Sequence, residues 1–568
     1  MRRVVRRLIK IMLLGVLLLV GLAMALAFFV DANRFKPLII DRVYQWTGYE
    51  LVMDGALSWS FFPTLGVTSG HLGLKNPPGS QNLYLIEADR FRFSVRLLPL
   101  LQGRVEAGTL AANNATMKLD DPVSHRSLVI SHLKVMADSI SLGEAFPLQL
   151  TFDVQMQNPA ISGQVTLGAQ ALMQPEIKEY TLHQLAVNAT LQSGDQHVKL
   201  HLGGSLLADL KEWLIRWQDL SGTVANMPVS GDLRLVRYPQ MLTTGIVKMG
   251  PFDLKKFLQQ TGVSSTELQQ ADGVGGVVNL SVDAGKTEAS GSFNMPVVRA
   301  ANLSMQHVAV PFHFLSGVLD IENATSDFYD GKALLKTIAK FQTTPWQFAV
   351  QLGLNKVQLE PLLQDLDGKA KLSMQGTGTV ALLLSTSVNE PAALLSQLNG
   401  SARLTVADGS LRGVDVGYLL DTALALAGKK SASSWQGSTP FSSLTGTALI
   451  RDGVVSNTDL LMEAARFTLN GKGTVDLPAS KINYALEAHL RRTAASQGDD
   501  ITNLYGLPVP VMISGSLQAP VVRLDSAVLL QALAKQQLKK AADRVITRQL
   551  GGKIPGQAGA VLNQLLGQ

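Results

Sequence analysis

The sequence predicts a mainly β protein: an N-terminal transmembrane helix, an antiparallel β-sheet body with a few short helices, and a C-terminal amphipathic helix. Three observations predict this class. From about residue 50 apolar and polar residues alternate, and side chains of a strand point alternately to its two faces. Glycine, asparagine and aspartate separate these segments at short intervals, and turns are expected at Ala407-Asp408-Gly409, Arg451-Asp452-Gly453 and Asn470-Gly471. One uncharged run of twenty residues stands near the amino terminus.

Residues 11–30 form the predicted membrane anchor. At about 1.5 Å per residue, a helix of this length covers roughly 30 Å, which is the hydrocarbon thickness of a bilayer. Residues 1–10 carry five basic side chains, and such a tail stays cytoplasmic while the body crosses the membrane. A cleaved signal peptide is the alternative, because Ala25-Leu26-Ala27 has the pattern of a cleavage site. The uncharged run is longer than the usual apolar region of a signal peptide.

The composition excludes several classes of protein. Apolar residues make up 46% and charged residues 17%, which is too apolar for disorder and too polar for a polytopic membrane protein. The net charge of +6 comes mostly from the basic start, so no nucleic-acid partner is implied. The absence of cysteine excludes disulfides, a catalytic thiol and thiolate zinc sites.

The alternating segments give candidate binding residues on the apolar faces of the predicted strands. Two interpretations stay open, a closed core and an open apolar groove, because alternation specifies only that one face is covered or ligand-bound. The apolar candidates are Phe91, Phe93, Val95, Leu148, Leu150, Phe152, Val154, Val198, Leu200 and Leu404.

Helical spacing is confined to short segments and to the carboxy-terminal region. Short helices are expected at residues 37–46, 253–260, 361–364, 391–398 and 418–427, and a long one at 526–550. The long helix is amphipathic with a basic face, which suits contact with a membrane surface or a partner, although a solvated face is the alternative. Its basic candidates are Lys535, Lys539, Lys540, Arg544 and Arg548.

No motif for catalysis, metal binding or cofactor binding is found. A nucleophile elbow is absent, and Gly285-Lys286-Thr287 lacks the upstream glycine of a phosphate-binding loop. His197 and His201 share a strand face but lie about 13 Å apart, which is too far for one metal ion. The sequence therefore predicts a protein that is not an enzyme and needs no cofactor.

Two blocks of motifs resemble the AsmA family of cell-envelope proteins. The first follows the anchor, and the second lies in the last third of the chain. The motifs of the first block are Asp31-Ala32-Asn33-Arg34-Phe35-Lys36-Pro37, Thr47-Gly48-Tyr49-Glu50-Leu51 and Leu97-Leu98-Pro99-Leu100-Leu101. Those of the second block are Asp408-Gly409-Ser410-Leu411-Arg412-Gly413, Arg451-Asp452-Gly453, Leu469-Asn470-Gly471-Lys472-Gly473 and Ile513-Ser514-Gly515-Ser516-Leu517.

The resemblance implies an organisation and a role. It implies a bacterial inner-membrane protein, single-pass, whose body is an elongated, curved sheet in the periplasm. The expected parts are the tail 1–10, the anchor 11–30, an AsmA-like β body at 31–390, a carboxy-terminal β module at 391–525 and a helical tail at 526–568. The resemblance also implies that the apolar candidates line a groove that binds membrane phospholipids.

The role that the resemblance implies is phospholipid binding or transfer in support of outer-membrane biogenesis and lipid homeostasis. An assembly factor that binds outer-membrane proteins or their insertion machinery is the alternative, since exposed strand edges could add to a partner's sheet. A hydrolase of envelope polymers is disfavoured by the missing nucleophile and metal motifs.

Overall fold

A computed structural model gives the fold of the protein. It describes residues 21, 31–47, 49–60, 65–75, 84–95, 107–121, 126–140, 143–157, 160–174, 178–194, 196–209, 211–212, 214–236, 242–262, 266–283, 286–367, 373–390, 393–426, 434–491 and 508–549. The predicted anchor lies outside these residues except for Gly21, which is helical. Among the described helices, none has the length and apolar character needed to cross a bilayer.

The chain forms two compact units. The first contains the described residues up to Val298 together with Pro311–Ser316, and the second contains Arg299–Val310 and the described residues from Gly317 onward. The division therefore falls within two strands. The module boundary expected at residue 390 lies inside the second unit and stays a prediction.

The first unit is an antiparallel sheet. Strands β3 and β4 lie end to end along β5, and from β5 to β14 each strand pairs with the next one. Its strands are β1 (Leu51–Met53), β2 (Ser58–Ser60), β3 (Leu65–Ser69), β4 (Leu72–Lys75), β5 (Tyr84–Val95), β6 (Ala107–Asp121), β7 (Arg126–Asp138), β8 (Ala145–Gln157), β9 (Ile161–Gln174), β10 (Glu179–Ser193), β11 (Gln196–Asp209), β12 (Leu214–Val224), β13 (Met227–Val236), β14 (Leu242–Phe252), β15 (Leu268–Asp272), β16 (Val274–Asp283) and β17 (Lys286–Ala300).

The second unit is also an antiparallel sheet. From β19 to β29 each strand pairs with the next one along the chain. The remaining strands are β18 (Leu303–Leu315), β19 (Val318–Phe328), β20 (Gly331–Lys340), β21 (Trp346–Gln358), β22 (Ser373–Val388), β23 (Asn399–Arg412), β24 (Ser438–Arg451), β25 (Val454–Glu463), β26 (Phe467–Asp476), β27 (Lys481–Leu490), β28 (Val509–Ser516) and β29 (Pro520–Leu524).

Helices occupy few of the described residues. Aspartates cap three α-helices and also the 3₁₀ turn, where Asp31 accepts from the Asn33 amide, because a carboxylate that precedes a helix accepts a hydrogen bond from its first turn. Asp253 accepts from the Lys256 amide at 3.0 Å, Asp415 from the Tyr418 amide at 2.8 Å, and Asp525 from the Val528 amide at 3.1 Å. The helices are a 3₁₀ turn (Ala32–Phe35), α1 (Lys36–Thr47), α2 (Leu254–Gln260), α3 (Leu359–Asp367), α4 (Val416–Leu426) and α5 (Ser526–Gln549).

Most of the helix predictions are confirmed, and one is not confirmed as an α-helix. The segments expected at 37–46, 253–260, 361–364, 418–427 and 526–550 correspond to α1 to α5. Over its described part, the segment expected at 391–398 has one 3₁₀ residue at Ala393 and turns at residues 394–397, without a regular α-helix. There the Leu398 carbonyl accepts from the Gly453 amide at 2.9 Å, so the segment packs against the β24–β25 hairpin.

β-Bulges interrupt many of the strand pairs. In the first unit, Asn114, His132 and Asp219 adopt left-handed backbone conformations where the register shifts. A bulge leaves one residue unpaired, bends the strand and increases its twist. Each of these three residues forms a hydrogen bond with a carboxylate on the adjacent strand. For example, Asp153 Oδ2 lies 2.9 Å from His132 Nδ1. Bulges therefore let the strands run for 11–15 residues in β6, β7 and β12, longer than the short strands that the turn signals predict.

Two of the expected turns are not turns. Asp408, with φ of 49°, is a bulge inside β23, since Ala407 pairs with Ser443 and Gly409 with Phe441. Asn470-Gly471 continues β26, and a side chain at Gly471 would clash with Leu460, Leu486 and Tyr484. By contrast, Asp452-Gly453 does form a tight turn between Arg451 and Val454. Its positive φ angles of 48° and 75° suit a two-residue hairpin.

The second unit contains a closed hydrophobic core. Nineteen buried apolar residues form one cluster there among the described residues. Leu359 and Leu362 of α3 and Val416 and Leu420 of α4 belong to it, so both helices cover the sheet. The Tyr329 hydroxyl donates a hydrogen bond to Asp365 Oδ2 of α3 at 2.6 Å, which holds the helix against the sheet. Burial raises the pKa of Tyr329 to about 12, which keeps this donor protonated.

Candidate functional site

An apolar face runs across the sheet of the first unit. In register, Phe152 of β8 lies opposite Val165 of β9, which lies opposite Ala189 of β10, which lies opposite Leu200 of β11. Directly opposed residues share a face of the sheet. The two flanking rows on the same four strands are Leu150, Leu167, Val187 and Leu202, and Val154, Gly163, Leu191 and Val198.

The same face continues toward the amino-terminal strands. Leu148 lies opposite Ala137 of β7, which lies opposite Leu110 of β6, which lies opposite Phe93 of β5. Through Val135 and Ala112, Leu150 connects in the same way to Phe91. We call the rows from β5 to β11 the first-unit apolar face.

The structure thus brings eight of the ten apolar candidates onto one surface. Val95 is paired with Ala107 on β6, but its side chain lies outside the described part of the chain. The candidates that share the first-unit apolar face are Phe91, Phe93, Leu148, Leu150, Phe152, Val154, Val198 and Leu200.

The first-unit apolar face is only partly covered. Seven of the eight candidates are half-buried, and Phe93 is exposed over 37% of its surface. The buried cluster found here among the described residues contains only Ala137, Phe146 and Ala171. Half-burial is consistent with side chains that contact neighbours on adjacent strands but not a second layer. An apolar ligand could therefore reach the tips of these side chains.

The other face of the same strands is polar. Gln149 and Gln155 of β8 are exposed, and Asp153 Oδ2 lies 2.9 Å from His132 Nδ1. Across β10 and β11, Asn188 Oδ1 lies 2.7 Å from His201 Nδ1. This face is therefore solvated and crosslinked by side-chain hydrogen bonds, and it offers a control surface beside the apolar one.

The tenth apolar candidate has a different environment. Leu404 of β23 lies in the second unit, opposite Val380 and Gly446, and packs against the closed core. For this residue the structure favours the closed-core interpretation.

The basic candidates all lie on α5. Lys535 and Lys539 are exposed, as are Leu530 and Leu538 on the same helix. The side chains of the remaining three candidates lie outside the described part of the chain; these are Lys540, Arg544 and Arg548.

A second open surface was missed by the sequence analysis. A cavity of about 1070 Å³ lies in the second unit against the face of the sheet that bears Leu383. Ile338, Leu383 and Leu449 line it and are exposed over 43%, 53% and 47% of their surfaces. Its sequence signal is adjacent apolar residues, such as Leu382-Leu383-Leu384 and Leu449-Ile450, because neighbours on a strand point to opposite faces.

The fold and the first-unit apolar face define a class of protein. It is a β-rich body whose distinguishing feature is a half-exposed apolar sheet face; among the described residues no group of three or more histidine and carboxylate side chains is placed to hold a metal.

Sequence comparison gives the family, and this chain belongs to the AsmA family. The family profile matches residues 1–121 and 258–460, which is more than half of the chain. The chain is also similar to Protein AsmA of Escherichia coli (strain K12), with 23% identity over 95% of this chain and 96% of the relative. The family predicted from the sequence is therefore confirmed. The candidates from Leu148 to Leu200 lie between the two matched segments, whereas Phe91, Phe93, Val95 and Leu404 lie inside them.

Proposed function

We propose that this AsmA-family protein is a non-enzymatic protein of the bacterial envelope that binds phospholipid on the first-unit apolar face. Residues 11–30 anchor it in the inner membrane and the body lies in the periplasm, where it supports outer-membrane biogenesis and lipid homeostasis. The observation that carries the proposal is that apolar side chains lie opposite one another on successive strands from β5 to β11 and that most of the candidates among them are half-buried.

The dimensions of the face suit acyl chains. Six inter-strand spacings separate β5 from β11, which corresponds to roughly 29 Å at about 4.8 Å per spacing. One leaflet of a bilayer contributes about half of a hydrocarbon core of roughly 30 Å, so an acyl chain fits within this width. Each methylene kept from water contributes about 0.8 kcal/mol. A chain that leaves a bilayer for this face therefore retains much of its burial while the head group stays in water.

In-cell photocrosslinking tests the proposal. A photoreactive residue at Leu150, Phe152 or Leu200 should capture phospholipid, because these side chains lie on the first-unit apolar face. The matched controls are Gln149 and Gln155, which are exposed on the opposite face of β8. Equal capture at both faces, or none at either, would contradict a lipid-binding face.

One observation supports the assembly-factor function as a second candidate. Among the described residues, β29 pairs with β28 along one edge, and no partner strand is seen on its other edge. A free edge can accept a strand from another protein through main-chain hydrogen bonds. Crosslinks from Val521, which is exposed over 46% of its surface, should then reach a protein partner while the apolar-face positions capture no lipid.

A further inference from the structure

Helix α5 extends the chain after the last strand. It spans 24 residues, which is roughly 36 Å at about 1.5 Å per residue. Asp525 caps its first turn, and the Asp525 amide donates to the Pro510 carbonyl of β28 at 3.0 Å. The start of the helix is therefore fixed to the sheet of the second unit.

One face of α5 is apolar and uncovered. Leu530, Ala534, Leu538 and Ala541 are spaced at i, i+4, i+8 and i+11, so they share a face. All four are exposed, and Leu530 and Leu538 are exposed over 50% and 71% of their surfaces. Apolar side chains repeated along one face of a helix indicate a surface that is covered in the functional state.

The charge of α5 identifies the chemistry of the surface that covers it. The helix contains five basic residues and one acidic residue, Asp543, so its net charge is +4. Lys535 and Lys539 are exposed and form no ion pair with any described residue. A second copy of the same helix would place +4 against +4, which disfavours self-association through this face. An anionic surface with an apolar interior matches both the charge and the exposed leucines.

We propose that α5 lies flat on the surface of an anionic phospholipid bilayer. Leu530 and Leu538 enter the boundary between head groups and acyl chains, and Lys535 and Lys539 contact the lipid phosphates. This contact is independent of lipid binding on the first-unit apolar face, since it uses a different unit and a different chemistry. It gives the body a second membrane contact besides the anchor predicted at residues 11–30.

Vesicle capture by the full chain tests this contact. The protein is reconstituted in nanodiscs of phosphatidylcholine, so that the predicted anchor is already inserted in a bilayer and cannot bind the added vesicles. Vesicles of phosphatidylcholine alone, or mixed with phosphatidylglycerol, are then added, and co-flotation of the discs is measured. We expect capture of the anionic vesicles only, and weaker capture at high salt because charge contacts at a surface are screened.

Two double variants locate the contact on α5. K535Q with K539Q should lower vesicle affinity about 25-fold, at about fivefold per basic residue. L530S with L538S should lower it at least tenfold and leave the thermal unfolding midpoint unchanged, since both leucines are exposed. The matched control is K472Q with K481Q, which removes two exposed lysines of β26 and β27 and should leave capture unchanged.

Three outcomes would overturn the proposal. These are equal capture of neutral and anionic vesicles, unchanged capture by either α5 variant, and an equal loss in the control variant. Crosslinking of Leu538 to a protein or to a second copy, instead of to lipid, would assign the helix another occupant.

Discussion

The two units use the same strand alternation to different ends. In the second unit, nineteen buried apolar residues form the core, and α3 and α4 lie over the sheet. In the first unit, three buried residues form the described cluster, and the candidates beside them stay half-buried or exposed. The difference teaches that alternation determines which face is apolar, while inserted helices determine whether that face is closed.

The largest expected effect separates a closed face from an open one. Leu420 of α4 has no exposed surface, so Leu420→Ala should lower the free energy of unfolding of the second unit by about 2–5 kcal/mol through lost contacts and a cavity. Leu150→Ala on the half-buried face should lower that of the first unit by about 1 kcal/mol, because fewer contacts are lost.

Denaturant unfolding followed by hydrogen exchange checks this pair of variants. Amides of β24 report on the second unit and amides of β9 on the first, which matters because a protein with two units need not unfold in one step. Equal losses at the two sites would mean that the first-unit apolar face is as closed as the core.

The next effect compares two helix caps. Asp415 is buried and accepts from the Tyr418 amide at 2.8 Å and from the Gln436 amide at 2.6 Å. Asp415→Ala removes the acceptor of both donors and should lower the free energy of unfolding of the second unit by about 1–3 kcal/mol. Asp253→Ala removes the cap of α2 in the first unit and should lower that unit's stability by about 0.5–1 kcal/mol.

The same hydrogen-exchange measurement checks the caps. Asp415→Asn keeps an acceptor oxygen and should restore most of the lost stability, which serves as the control. A loss of stability after Asp253→Ala as large as that after Asp415→Ala would contradict the view that α4 closes a core and α2 does not.

Much of the secondary structure was predictable because it follows from local pattern. Alternation locates β8 and β11, and the Asp-Gly pair at residues 452–453 locates a hairpin. The same chemistry misleads at Asp408, where an Asp-Gly pair sits at a bulge inside β23. Aspartate tolerates the left-handed backbone in either setting, so only the pairing of the neighbouring strands distinguishes a turn from a bulge.

The state of each apolar face was not predictable, because it depends on contacts that are distant in sequence. Leu404 and Leu150 occupy equivalent positions in alternating segments, yet Leu404 packs against the closed core and Leu150 does not. The deciding elements are α3 and α4, which lie outside the alternating segment that contains Leu404. The cavity beside Leu383 was missed for a related reason, since a run of leucines resembles a buried strand instead of one with two apolar faces.

The smallest expected effect tests whether the two units respond to acid separately. In the second unit, Asp459 accepts from the Thr447 amide at 2.8 Å, from Thr447 Oγ1 at 2.7 Å and from Asn457 Nδ2 at 2.7 Å. The bonds from Thr447 lower the pKa of Asp459 below its ordinary value. Because the folded pKa lies below the unfolded one, this stabilisation is present above about pH 4 and is lost as the pH falls through the folded pKa.

Hydrogen exchange against pH measures this response in each unit. Asp459→Asn should make the protection of β24 and β25 less sensitive to acid, with little change in the first unit. Asp253→Asn should have the reverse pattern, because the bond from the Lys256 amide also lowers the pKa of Asp253. Changes in the protection of both units after either substitution would show that the two units unfold together. The units would then differ in the exposure of their apolar faces but not in their stability.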